Sequence, residues 1–214
     1  MNEEVLQGFF GSIIGQAVTC VVVLLLMLAF AGITKKKYGT NVKATIYSAL
    51  AIALAFVLSK ITLITMPYGG AVTAFSMFFI VVIGYWFGPV QGIIAGISFG
   101  FLSLIDGGYV MHPVQLLLDY PLAFGMLGLS GLFRKQKYGL YIGYVVACLG
   151  RFFCSFLSGV IFFSMYAPEG WNPITYSAVY NISYIGVEMI ITLVILTVPV
   201  VKEAFDRIRK MSLA

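Results

Sequence analysis

Apolar residues run through this chain in seven blocks, each about 18 residues or longer and each closed by a short polar or glycine- and proline-bearing segment. A membrane strand needs only about 10 residues and alternates in character, so blocks of this length predict transmembrane helices. The first is expected over about Phe9–Ile33, stopping at Lys35-Lys36-Lys37, and the second over about Ala44–Met66. Pro67-Tyr68-Gly69-Gly70 breaks the chain before a third helix at about Ala71–Phe87. Gly88-Pro89 makes a tight turn into a fourth, about Val90–Ile105. Asp106-Gly107-Gly108 leads through His112-Pro113 into a fifth, about Val114–Phe133, whose start suits proline in the first helical turn. A sixth is expected over about Gly139–Tyr166 and a seventh over about Ile174–Val201, separated by the polar loop Ala167–Pro173. The tail from Lys202 onward is amphipathic and basic.

Finer spacing refines these helices. Gly92, Gly96 and Gly100 recur every four residues, leaving one face of the fourth helix nearly bare backbone and suited to close packing. Ala49 and Ala53 on one face of the second helix, and Ala51 and Ala55 on a neighbouring one, are spaced to let another helix backbone approach closely, and they fit internal packing as well. Pro121 falls inside the fifth helix, where it removes a backbone hydrogen bond and should distort the helix beside Asp119.

Composition agrees with a membrane protein: 61% of the 214 residues are hydrophobic and 10% charged, with a mean hydropathy of +1.01. The net charge of +5 resides in short basic clusters beside helix ends, a topology signal rather than a nucleic-acid surface. Placing Lys35–Lys37 in the cytoplasm puts Arg134, Lys135 and Lys137, and also Lys202, Arg207, Arg209 and Lys210, on the same side. Seven helices then put the N-terminus outside and the C-terminus inside. The acidic start MNEEVLQ does not resemble a signal peptide, so the first helix is expected to stay. Cys20, Cys148 and Cys154 form no CxxC pair and read as packing residues.

Four charges fall within the apolar blocks: Lys60, Asp119, Arg151 and Glu188. Each would cost roughly 3 kcal/mol if left unpaired in the membrane, so each should face the bundle interior and find a partner. At about 1.5 Å per residue, Arg151 and Glu188 lie at similar depth and are expected to pair as a structural unit near the midplane, whereas Asp119 lies about 10 Å below the outer surface. Arg151, Ser155, Ser158, Gly159 and Phe162 share one stripe of the sixth helix; Ser177, Tyr180, Asn181, Tyr184 and Glu188 share one of the seventh. Two polar stripes and a carboxylate beneath an aromatic rim describe a cavity open to the outside and suited to a small, flat, polar or cationic ring. Each hydroxyl or aromatic here fits packing as well as ligand contact; Asp119 is the residue assigned to function, and His112 reads as a helix-start residue. The chain has no HExxH, GxSxG or P-loop motif and no metal-ligand cluster, which argues against an enzyme, a resident cofactor or unaided ATP hydrolysis.

From about Val42 to Val201 the sequence resembles the ThiT (YuaJ) family of thiamine-specific S-components of energy-coupling factor transporters. The resemblance rests on Tyr68-Gly69-Gly70, on Tyr109 followed by HPVQLLLDY at 112–120, on RFFCSFLSGVIFF at 151–163, on YAPEGW at 166–171 and on TYSAVYN at 175–181. It implies an all-α, six-helix S-component core over residues 42–201, preceded by an additional transmembrane helix and basic loop at 1–41 and followed by a basic cytoplasmic tail at 202–214. It further implies capture of thiamine at the outer face of the plasma membrane. Delivery would proceed through a transmembrane coupling protein with two cytoplasmic ATPases. Carried over by position, the ligand pocket would use Tyr109, Asp119, Tyr120, Ser155, Phe163, Tyr176 and Asn181, and the coupling contact Ala49 and Ala53. Ser155 stands where the family usually has a histidine, which leaves open a related ring of the pyridoxine type. A stand-alone proton-coupled carrier using Asp119 or Glu188 is a further reading.

Overall fold

In the computed structural model, described residues are 42–67, 70–106 and 108–213, together with the single positions Ile14 and Val18. The helix expected over Phe9–Ile33 therefore lies almost wholly outside the described residues, as do Cys20, Tyr68 and Gly69. Within the described residues the chain is mostly helical. Four helices are long and apolar enough to cross a membrane: α1 (Val42–Ser59), α4 (Pro113–Phe133), α5 (Gly139–Phe162) and α6 (Pro173–Leu196). Two shorter apolar helices, α2 (Ser76–Phe87) and α3 (Pro89–Ile105), complete the set of apolar helices.

The second helix ends sooner than its hydropathy suggests. Past Ser59 the chain forms β1 (Thr62–Thr65), which pairs antiparallel with β2 (Ala71–Thr73) in the register Thr62 to Thr73, Ile64 to Val72 and Thr65 to Ala71. Apolar content alone made this segment read as helix. Its threonine and isoleucine side chains favour extended backbone, however, and Pro67 and Gly70 set the reversal, with Met66 N–H donating to Gly70 O at 2.7 Å. The purely α-helical expectation is thus corrected by one small hairpin. Lys60 is corrected with it: it lies past the end of α1 rather than inside a span, forms an ion pair with Asp106 at the end of α3, and keeps its side chain half exposed.

Helix α2 is apolar around its whole circumference and buries all but one of its residues, so it forms the centre of the bundle. It joins α3 through Gly88, whose φ of 103° belongs to the left-handed half of backbone space, with Pro89 opening the next helix. The glycine face of α3 packs on α4 so closely that a Cβ on Gly100 would come 2.6 Å from the carbonyl oxygen of Tyr120.

Two of the helices that carry polar residues into the bundle, α4 and α6, are locally widened. Helix α4 contains a π turn at Leu118–Leu122, which holds Asp119 and Pro121, and tightens to a 3₁₀ stretch at Met126–Phe133. The distortion expected at Pro121 takes this form, because a π turn absorbs the missing proline donor. Helix α6 has a second π turn at Ile182–Gly186. It also ends at Leu196 rather than Val201; Pro199 starts a separate amphipathic helix, α7 (Pro199–Leu213).

Candidate functional site

Asp119 sits in the α4 π turn with one carboxylate oxygen fully engaged. Oδ2 accepts from Gln115 Nε2 at 2.7 Å and from Ser158 Oγ of α5 at 2.8 Å, and no hydrogen bond from the described residues reaches Oδ1. Gln115 does more than hold the acid. It is 1% exposed, its Nε2 also donates to Tyr109 O at 3.1 Å, and its Oε1 accepts from Met111 N–H at 3.1 Å. Tyr120 OH donates to the same Tyr109 carbonyl at 3.3 Å. One glutamine therefore folds the polar approach segment back onto the helix it enters. His112 starts that helix, accepting from Val114 N–H through Nδ1 at 3.2 Å and stacking on Phe162.

A cavity of about 560 Å³ opens around this carboxylate, large enough for a small heterocyclic ligand. Tyr109, Tyr120, Ser155, Phe163, Tyr176 and Asn181, all named from the sequence, line it together with Asp119. Phe163 stands between Tyr109 and Tyr166, its ring centroid 6.0 and 6.1 Å from theirs, and so supplies a flat aromatic wall. On α6, Asn181 is held from both ends: Nδ2 donates to Ser177 O at 2.9 Å and Ser155 O at 3.3 Å, while Oδ1 accepts from Tyr184 OH at 2.8 Å. Ser177 in turn donates to Phe156 O at 2.7 Å, locking α6 to α5 beside the cavity.

The expected pairing of Arg151 with Glu188 is corrected. Both line the cavity, yet among the described residues they form no ion pair. Arg151 lays its guanidinium over the Phe124 ring at 4.2 Å, and its Nε is buried without a hydrogen-bond partner. Glu188 instead accepts from Thr73 N–H, Thr73 Oγ1 and Met77 N–H. The end of the hairpin, read as helix from hydropathy, brings Thr73 to the carboxylate, and the first turn of α2 brings Met77.

Two residues of consequence were not assigned to the site in advance. Gln115 was legible only as one letter of HPVQLLLDY, although its spacing four residues before Asp119 puts it on the same helix face. Ser158 stood on the α5 stripe without a partner. Ala49 and Ala53 are not among the residues that line the cavity and lie on an exposed face of α1, whose inner face is Ala44, Ser48, Ala51 and Ala55. Cys148 and Cys154 are buried in the packing of α5.

Comparison with known proteins follows the same lines. The profile of the thiamine transporter protein family (Thia_YuaJ) matches residues 45–206. The chain is 32% identical over 169 residues to thiamine transporter ThiT of Bacillus subtilis, covering 72% of this chain and 86% of that protein. It is 30% identical over 165 residues to thiamine transporter ThiT of Lacticaseibacillus paracasei, covering 68% and 79%. A solved structure of ThiT from Listeria monocytogenes superposes with a TM-score of 0.58 at 25% identity, over 76% of this chain and 94% of that one. With its apolar helices and its ring-lined cavity, this chain is a multi-pass plasma-membrane transport protein, not an enzyme, and it belongs to the Thia_YuaJ family of thiamine transporters.

Proposed function

We propose that the chain is the substrate-binding S-component of an energy-coupling factor importer, which captures thiamine from outside and delivers it inward with a membrane coupling protein and two cytoplasmic ATPases. The observation that carries this reading is Asp119, fixed through Oδ2 by Gln115 and Ser158 and left with Oδ1 available inside a ring-lined cavity. Thiamine matches that chemistry. Its aminopyrimidine offers an N–H donor to a carboxylate, and its thiazolium cation suits the faces of Phe163 and the neighbouring tyrosines. Ser155 lines the cavity near Asn181 and leaves more room than a histidine would, so a bridging water there would complete the contact to the ring.

The exposed Ala49 and Ala53 fit the proposed contact with the coupling protein, since small side chains let a second helix approach closely. In the proposed topology the segment before residue 42 adds one further transmembrane helix, the N-terminus is outside, and α7 lies in the cytoplasm. Titration of the purified protein followed by tryptophan fluorescence tests the ligand: saturable quenching by thiamine and none by pyridoxine is expected. The reverse result would reassign the cavity to a pyridoxine-type ring, the reading that Ser155 favours. Uptake in cells lacking the coupling ATPases tests the energy source. Concentrative uptake that continued there would contradict an S-component and point to a proton-coupled carrier.

A further inference from the structure

Glu188 is 2% exposed and lies just past the π turn of α6, yet its carboxylate is committed to the chain that follows the hairpin. Oε2 accepts from Thr73 N–H at 2.9 Å and Thr73 Oγ1 at 2.8 Å, and Oε1 accepts from Met77 N–H at 3.3 Å. Between those two anchor points stands Phe75 with φ 65° and ψ 24°, a left-handed conformation that a bulky residue holds only where its surroundings over-determine it. The carboxylate thus braces both sides of the one strained non-glycine residue among those described. Charge-assisted bonds from backbone N–H groups are the strong kind, and a neutral amide in this place would turn one acceptor into a donor facing donors.

The same face of α6 holds the other end of the hairpin. Tyr184 and Tyr180 precede Glu188 by four and eight residues. Tyr180 OH donates to Pro67 O and accepts from Gly70 N–H at 3.1 Å. Gly70 is so close to α6 that a Cβ there would come 2.7 Å from Tyr180 OH and 3.1 Å from the Tyr184 ring. The polar stripe of α6 therefore serves more than one neighbour. Ser177 and Asn181 bind α5, Tyr180 binds the hairpin at Pro67 and Gly70, Glu188 binds Thr73 at the hairpin's end and Met77 in the first turn of α2, and Tyr184 packs beside Gly70 while its hydroxyl donates to Asn181. Ala71, Thr73 and Ser76, within the segment these contacts hold, form part of the cavity wall.

We propose that Glu188 is a positioning residue for ligand capture, acting through Thr73 and Met77 to fix the hairpin exit against the helix that carries Asn181, rather than by touching the ligand. The proposal rests on the thiamine reading for its binding assay and is independent of it for its structural assay. Hydrogen exchange on the full-length, ligand-free protein is the structural assay. Glu188→Gln and Thr73→Val should each speed amide exchange over residues 71–77 while leaving residues 113–122 unchanged. Thiamine titration is the binding assay. Glu188→Gln should weaken affinity about tenfold and Thr73→Val less, and the double variant no more than about twofold beyond Glu188→Gln alone, because Thr73→Val removes one of the three bonds that Glu188→Gln disrupts. Multiplying effects would mean that Glu188 acts on the ligand directly, and unchanged exchange over 71–77 would mean that it does not fix the hairpin; either overturns the proposal. Should Glu188→Gln fail to fold, Glu188→Asp decides, since the shorter side chain withdraws the carboxylate from all three donors and unchanged exchange over 71–77 in that variant also overturns the proposal. Wild-type protein that did not bind thiamine would sink the ligand assignment and leave the exchange result standing.

Discussion

Asp119 is held unevenly, and its proposed role follows from that. Gln115 and Ser158 both donate to Oδ2, which orients the carboxyl plane and leaves Oδ1 for an incoming donor. Asp119→Asn keeps the shape but removes the charge and half of the acceptor capacity. Thiamine affinity should fall more than tenfold, at least about 1.4 kcal/mol, in a fluorescence titration; unchanged affinity would contradict the site. Ser158→Ala removes one of the two holding bonds, worth about 1 kcal/mol, and should weaken binding about fivefold by the same assay without altering the melting temperature by more than a few degrees. Of these three residues only Asp119 stood out in the sequence, because a carboxylate in an apolar run is costly wherever it goes. Serines and glutamines are ordinary in membrane helices; Gln115 shares a helix face with Asp119 through its four-residue spacing, whereas Ser158 reaches the carboxylate by a meeting of α4 and α5 that no local pattern encodes. Glu188 illustrates the opposite error: depth along the helices matched it to Arg151, but its nearer donors are backbone N–H groups of a segment whose fold was misread.

At the scale of elements, long apolar runs and their breaks placed α3, α4 and the start of α5 to within a residue, since Pro89, Pro113 and the Arg134–Lys137 cluster leave few alternatives. Helix α5 instead ends at Phe162, and a separate 3₁₀ turn, Ser164–Tyr166, follows where the helix was expected to run on to Tyr166. Hydropathy failed where a segment was apolar but extended, as in β1, and where a proline restarted a helix without a polar signal, as at Pro199. The close contact of α3 with α4 is the element-scale feature that bears most on the site. Gly100 lies against the Tyr120 carbonyl, one residue past Asp119, so the bare face of α3 sets how near the π turn can sit. Gly100→Ala would force those backbones apart, and overpacking of this kind costs about 1–3 kcal/mol. The variant should melt several degrees lower and bind thiamine less tightly, because Tyr120 and Asp119 move with the carbonyl. A variant as stable and as tight-binding as wild type would show that the helices have slack there.

Across the whole molecule, the ligand end and the basic end are connected by α4 and α5, which both run from the Arg134–Lys137 segment to the cavity. Along α4 Arg134 lies fifteen residues past Asp119, about 22 Å at helical rise, and no residue of α7 lines the cavity. The far end is closed by α7. Phe205 packs edge-on to Phe78 with ring centroids 4.8 Å apart and also meets Phe79 and Trp86. Arg209 stacks over Tyr85 at 4.5 Å, donates to its hydroxyl at 3.0 Å and donates to Arg134 O at 3.1 Å. Helix α7 thus lies along α2, from Phe78 in its first turn to Tyr85 and Trp86 in its last, and ties it to the end of α4 through Arg134. Phe205→Ala should cost about 2 kcal/mol, less than a fully buried aromatic because the ring is only partly covered, and lower the melting temperature by several degrees. Arg209→Ala should act through the same contact surface, so the two losses should add to less than their sum. Neither should change thiamine affinity by more than about twofold, since no residue of α7 lines the cavity. Thermal unfolding and fluorescence titration on the same samples check both halves, and an affinity loss that tracked the stability loss would mean that the basic end shapes the ligand cavity after all.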